Sequence, residues 1–154
     1  SFSGGFKYKG FEVNLLFQGV GKFSRTISGV GAYGSEYQGV FTDLHLKAWT
    51  PERWNNGEEI TYPALSLKAS TNHQPNSFFI MDASYLRLKN AEIAYTLPLN
   101  TSKKVFAEKI RFSLSGQNLF TIDNMRSKHI DPEVANMGTF QLYRVYNIGV
   151  SLTF

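Results

Sequence analysis

The stretch that most constrains the fold is 146–154, Tyr-Asn-Ile-Gly-Val-Ser-Leu-Thr-Phe. Tyr146, Ile148, Val150, Leu152 and Phe154 are large and apolar, while Asn147, Gly149, Ser151 and Thr153 between them are small or polar. Successive side chains of a strand point to opposite faces, so this is one greasy face and one polar face. The polar face carries no Lys or Glu, which a water-washed sandwich strand would favour. Tyr146 and Phe154 are separated on the greasy face by roughly 26 Å, at 3.3 Å per residue. That matches the apolar band of a membrane-spanning barrel, whose strands alternate over roughly 9–11 residues between aromatic girdles.

Composition agrees with a sheet. Aromatics make up 15% of the 154 residues, with Phe and Tyr dominant, and Pro is sparse at 5. Such a bias favours strands over a helical bundle. No run of apolar residues is long enough for a transmembrane helix, a test that barrel strands escape because they alternate. The chain has no Cys, which excludes disulfide frameworks and thiolate metal sites. Its net charge of +4 is spread over scattered Lys and Arg, not the clustered footprint of a nucleic-acid binder. His45, His73 and His129 are far apart and lack metal-ligand spacing, so they read as solvated loop residues. Asp131-Pro132-Glu133 has no partner base or nucleophile and reads as a loop turn. No catalytic residue, metal or cofactor is therefore expected, and the chain reads as non-enzymatic. Ser1-Phe-Ser-Gly-Gly is strand-like and not a secretory leader. A barrel protein needs such a leader, so the expectation is a C-terminal piece of something longer.

Read in order, the chain gives a meander. Phe2–Tyr8 is a strand, Lys9-Gly10 a tight turn, and Phe11–Phe17 a second strand that continues past Gly19 and Gly21 towards Ile27. The span 28–76 loses the period of two and is read as a long loop. It holds a short helix over Phe41–Ala48 and a capped helix start at Thr50-Pro51-Glu52-Arg53-Trp54, broken at Asn55-Asn56-Gly57. Ser77–Pro98 returns to strand with a phase slip, predicting a β-bulge near Lys89-Asn90. A short connection over 99–109, a strand over Ile110–Phe120, a long loop over 121–139 and a strand over Phe140–Phe154 complete the chain. Connections alternate short and long, as on the two rims of an up-and-down antiparallel barrel. Five strands fall short of the roughly eight that close one, so the rest must come from elsewhere.

Several stretches then carry a family resemblance. They are Tyr8-Lys-Gly-Phe-Glu-Val-Asn-Leu-Leu-Phe-Gln-Gly19, Trp49-Thr-Pro-Glu-Arg-Trp54 and Asp82-Ala-Ser-Tyr-Leu-Arg-Leu-Lys-Asn90 with Ile93-Ala-Tyr-Thr-Leu-Pro98. Ser115-Gly-Gln-Asn-Leu-Phe-Thr121, Asp131-Pro-Glu133 and the closing 146–154 stretch follow in order. Together they resemble the C-terminal barrel region of SusC/RagA-like TonB-dependent transporters of Bacteroidetes outer membranes, over residues 1–154. A departure is the insertion Asn55–Thr61, where the family reaches a Pro sooner. The resemblance implies an all-β segment of a 22-stranded outer-membrane barrel with a plug, and energy-coupled import of oligosaccharides or peptides. It also implies a SusD-like surface lipoprotein as lid, TonB acting through an absent N-terminal part, and insertion into outer-membrane lipid by the barrel-assembly machinery.

Three groups of residues stand out. Tyr146, Ile148, Val150, Leu152 and Phe154 resemble the terminal strand signal read by the assembly machinery, by strand addition at a sheet edge. Trp49, Trp54 and Tyr62 form either a contact platform for substrate or lid, or the packing of the loop, with Trp54 anchoring a mini-core. Arg87 and Lys89 point into the lumen, paired with Glu92 or with carboxylates of absent strands. Gln117-Asn118 reads as a ladder-ending polar pair. The competing reading is a secreted β-sandwich that binds glycans through the loop aromatics, which requires a hydrophilic outer face on the strands. An isolated five-strand piece would expose two unpaired edges and a greasy face, and is expected to be unstable in water.

Overall fold

A computed structural model describes residues 1–33, 41–66, 68, 71–134 and 136–154; the parts of the two predicted loops at 34–40, 67, 69–70 and 135 lie outside the described residues. The strands are β1 (Phe2–Tyr8), β2 (Phe11–Val20), β3 (Ser24–Thr26), β4 (Ile80–Asp82), β5 (Tyr85–Thr96), β6 (Lys109–Asp123) and β7 (Val145–Thr153). Two short helices, α1 (Pro51–Asn55) and α2 (Leu99–Ser102), and several 3-10 turns lie between them. The chain is all-β, and its one large sheet has the order β1-β2-β5-β6-β7. This is a meander that does not close on itself.

The chain divides into two compact units. Ser1–Val20, Tyr85–Ile122 and Tyr143–Phe154 make the large sheet; Gly21–Ser84 and Asp123–Leu142 make the second unit. In the sheet, β1 and β2 are joined by Lys9 and Gly10 at φ of 45° and 89°. Two successive positive φ values match the right-handed twist of a two-residue hairpin. A Cβ on Gly10 would meet the Thr96 carbonyl oxygen at 2.5 Å. The β2–β5 register shifts between Leu16, paired with Asn90, and Phe17, paired with Leu88. Lys89 is therefore the extra residue of a bulge, where the phase slip in the sequence placed it. The slip returns Leu88 to the face of Phe17 and sets Arg87 opposite Gln18.

The faces separate by chemistry. Phe6, Phe11, Ile93, Phe112 and Ile148 are among the large apolar side chains left exposed. The β6–β7 register places Phe112 opposite Val150, Leu114 opposite Ile148 and Ile110 opposite Leu152. Ile148 is 86% exposed, and no second layer covers it among the described residues. Ile110 is buried, but a sandwich would also bury Phe112, Leu114, Ile148, Val150 and Leu152, which are exposed, so the glycan-binding sandwich loses its premise. The opposite face carries Glu12, Asn14, Glu92, Arg111, Ser113 and Ser115.

Three strand limits differ from expectation. β2 stops at Val20, and Ser24–Thr26 pairs instead with Ile80–Asp82 in a separate two-stranded sheet. Ser77–Pro98 is accordingly split between a 3-10 turn, β4 and β5. β7 begins at Val145, not Phe140, because the β6–β7 ladder ends at Gln117–Val145. Beyond it Asn118, at φ 52°, donates through Nδ2 to the Tyr143 carbonyl at 3.0 Å. The predicted Phe41–Ala48 helix is a single 3-10 turn over Asp43–His45. The capped helix does form: Thr50 Oγ1 accepts from the Arg53 N–H at 3.2 Å, Pro51 opens α1, and Gly57 at φ 65° follows its end.

The second unit has a core of its own. Ile27, Ala32, Met81 and Ile130 form one buried cluster, and Ala48, Tyr62 and Phe79 another, with Tyr33 and Leu44 packed against both. Ile130 comes from the Asp123–Leu142 segment and the rest from Gly21–Ser84, so two sequence-distant loops share one interior. Polar ties add to it. Ser127 donates to both Asp43 carboxylate oxygens at 2.6 and 2.7 Å, and Asn124 donates to Asp82 at 3.2 Å. Arg25 reaches the Glu133 carbonyl at 3.0 Å.

Candidate functional site

On the polar face of the sheet, three strands bring together charges that are far apart in sequence. Arg111 Nη2 on β6 donates to Glu92 Oε1 on β5 at 2.6 Å and reaches Glu12 Oε2 on β2 at 3.4 Å. Asn14 donates to the other Glu12 oxygen at 3.2 Å. One guanidinium thus bridges two carboxylates, leaving a net negative centre. Around it lies an open hollow of about 600 Å³ lined by Asn14, Asn90, Glu92, Ser115 and Gln117 among others. Carboxamides and hydroxyls offer donors and acceptors together, which suits hydrogen-bonded recognition of amides or sugar hydroxyls.

Arg87, opposite Gln18 in the β2–β5 register, is 1% exposed. Its Nε donates to Thr121 Oγ1 at 3.0 Å, and its guanidinium lies 5.4 Å from the Tyr85 ring centre. Gln18 donates to the Tyr85 hydroxyl at 3.3 Å. Glu92 is held by Arg111 and not by Arg87. The two lie five residues apart on β5, on the order of 16 Å along the strand. Lys89 occupies the bulge. The expected lumen set is therefore two clusters, and Arg111 is the hub that sequence reading missed. It was visible only as one residue of a polar row; its link to Glu12 spans 99 positions and needs the register.

The loop aromatics separate. Trp54 is 68% exposed on α1, so it anchors no core; Tyr62, 5% exposed, does. Its hydroxyl donates to the Ala32 carbonyl at 2.6 Å, and its ring meets Phe78 and Phe79. Tyr62 thus takes the loop-packing role, the second of the two readings, while its ring also lines a hollow with Trp49 and Phe78. Trp49 is exposed at 39% and lines two shallow hollows of about 460 and 480 Å³. The first is shared with Phe41, His45, Arg53 and Leu65.

His45 is a second correction. It is 5% exposed, not solvated, while His129 is exposed. Its Nδ1 accepts the Thr42 N–H at 2.9 Å, and the Thr42 hydroxyl lies 3.2 Å away. Burial pushes its pKa below the ordinary histidine value, more than the neighbouring Asp43 carboxylate raises it. Asp131 accepts the Glu133 N–H at 2.9 Å in a local turn, as its sequence suggested. Among the described residues no group of His, Cys, Asp and Glu is arranged to hold a metal ion.

The row Tyr146, Ile148, Val150, Leu152 and Phe154 is exposed throughout, on the outermost strand of the described sheet.

No protein-family model matches the chain. Two curated proteins of Formosa agariphila do. TonB-dependent receptor P3 is 29% identical over 171 aligned positions, covering 99% of this chain and 16% of that protein. TonB-dependent receptor P26 is 31% identical over 134, covering 85% and 13%. The chain thus spans about a sixth or less of the relatives it matches. Among solved structures, the RagAB peptide transporter superimposes over 99% of the chain with a TM-score of 0.70 at 23% identity. The RagAB peptide importer in its open-open state gives 0.67 at 25% identity, covering 99% of this chain and 16% of that one.

Proposed function

The chain is a segment of a SusC/RagA-like TonB-dependent receptor of the outer membrane, and from that premise we propose that it forms part of the wall and surface loops of an energy-coupled importer. The observation that carries this is the sheet's division into an exposed apolar face and a polar face bearing the Glu12–Arg111–Glu92 bridge. Water-exposed Phe and Ile on one side and paired charges on the other suit a wall between lipid and an aqueous lumen.

The cargo is an oligosaccharide or a peptide. The amide- and hydroxyl-rich hollow serves either, and the solved relatives are described as peptide transporters or importers. A SusD-like surface lipoprotein is the expected lid and TonB the energy source. Trp49 and Trp54 are the loop aromatics with surface to give to cargo or lid. The row Tyr146, Ile148, Val150, Leu152 and Phe154 is assigned to recognition by the barrel-assembly machinery through strand addition.

The test is import by cells carrying the full-length protein. The protein should fractionate with detergent-extracted outer membrane, and its removal should abolish TonB-dependent uptake of a labelled peptide pool or a labelled oligosaccharide pool. Recovery of the protein in the soluble fraction, or unchanged uptake of both pools, would sink the proposal. Phe154→Ala should separately lower the amount of folded protein in the membrane; unchanged levels remove the assembly assignment alone.

A further inference from the structure

We propose that His45 is a pH-sensitive latch that holds the two loops of the second unit together when neutral and releases them when protonated. The geometry fixes the tautomer. A backbone N–H is an obligatory donor, so the Thr42 N–H at 2.9 Å requires a bare lone pair on Nδ1. The Thr42 hydroxyl at 3.2 Å is then a second donor to the same atom, and the ring's single proton sits on Nε2. Protonation puts a hydrogen on Nδ1 as well. The Thr42 N–H, which can only donate, then faces a second donor and loses its partner, while the Thr42 hydroxyl can turn to accept. The ring is flanked by Phe41 at 5.5 Å and Tyr62 at 4.5 Å between centroids, apolar faces that offer the new charge little.

The charged groups around it are few. Asp43, in the same turn, favours the cation, but its carboxylate is engaged by Ser127 from the other loop at 2.6 and 2.7 Å. Arg53 lines the same hollow as His45 and opposes a second cation there; it is itself tied to the Ala48 carbonyl at 2.8 Å. The Tyr62 phenol is neutral in this range and its hydroxyl is taken by Ala32. The turn that His45 closes is thus the one that presents Asp43 to Ser127. Opening it loosens the link between Gly21–Ser84 and Asp123–Leu142.

The sign follows from linkage. A histidine whose folded pKa lies below its unfolded value of 6.5 leaves the folded state unaffected at neutral pH. Stability is lost as pH falls from the unfolded value towards the folded one, because only the open state binds the proton there. Each unit of depression raises the open population about tenfold at the acid end.

The test is hydrogen exchange, read by mass spectrometry on the full-length protein in detergent at pH 7.5 and pH 5, corrected for intrinsic exchange. Peptides covering 42–49 and 124–130 should exchange at least severalfold faster at pH 5, with β2 and β6 peptides unchanged. His45→Asn keeps an acceptor near the Nδ1 position without the titration, and should flatten that dependence. An unaltered pH response in H45N, or no response in the natural protein, overturns the latch. If H45N does not assemble, the response of the natural protein alone decides.

Discussion

At the residue scale, burial and partners decide what a side chain does, and residue type alone misleads. Three aromatics in one loop looked equivalent, yet Tyr62 is core and Trp54 is surface. Tyr62→Phe should destabilise the loop unit by about 1–2 kcal/mol, because it strands the buried Ala32 carbonyl. Thermal unfolding followed by protease resistance of the 41–66 span reads this. Trp54→Ala should leave the same measurement unchanged and act, if at all, on uptake. Arg111 shows the reverse case, a residue the sequence did not single out that holds two carboxylates. Arg111→Met leaves Glu12 and Glu92 facing each other without their shared cation, so the urea midpoint of the extracted protein should fall. Adding Glu12→Gln and Glu92→Gln to that variant should recover most of the loss. If the single variant matches the natural protein, the bridge is ornamental.

At the element scale, the bulge at Lys89 keeps β5 in phase. With it, Arg87 shares the polar face with Gln18 while Leu88 pairs with Phe17 on the apolar face. Deleting Lys89 closes the bulge and leaves Arg87, Leu88, Asn90 and Ala91 alternating on the faces they already hold, so no side chain changes sides. The deletion should therefore leave folded protein in the outer membrane near the natural level, assayed by heat-modifiable gel mobility; a marked loss would show that the extra residue is itself required. Lys89→Ala keeps the extra residue and should assemble normally. The β1–β2 turn is equally specific. Gly10→Ala combines φ 89° with a Cβ placed 2.5 Å from the Thr96 oxygen, and should cost more than the roughly 1 kcal/mol of strain alone.

At the scale of the whole molecule, the two faces of the sheet must meet different solvents. Ile148→Arg puts a charge on the apolar row and should cost about 2–4 kcal/mol if it lies near mid-membrane, while Ser151→Arg on the other face should be tolerated. Comparable membrane levels for the two variants would contradict the lipid assignment. The second unit makes its own prediction. Ile130→Ala should cost about 2–4 kcal/mol. Because Ile130 shares a cluster with Ile27 and Met81, it should expose protease sites in Gly21–Ser84 as well as in its own loop.

Much of this was legible in the residues. Strict alternation in β7, the Lys9-Gly10 turn, the Thr50-Pro51 helix start and the bulge in β5 are local or nearly so. They follow from a backbone that must alternate, turn or cap within a few residues. The sequence also sorted each strand into an apolar and a polar face, and that alone pointed to a lipid-facing wall. Only the tertiary structure decided which polar groups meet: Arg111 with two carboxylates on two other strands, and Ser127 with Asp43. It also decided that two long loops share one interior, that Tyr62 rather than Trp54 fills it, and that His45 is buried. These are pairings across tens of residues. They are set by register and by which apolar side chains escape water together, neither of which any single stretch of chain encodes.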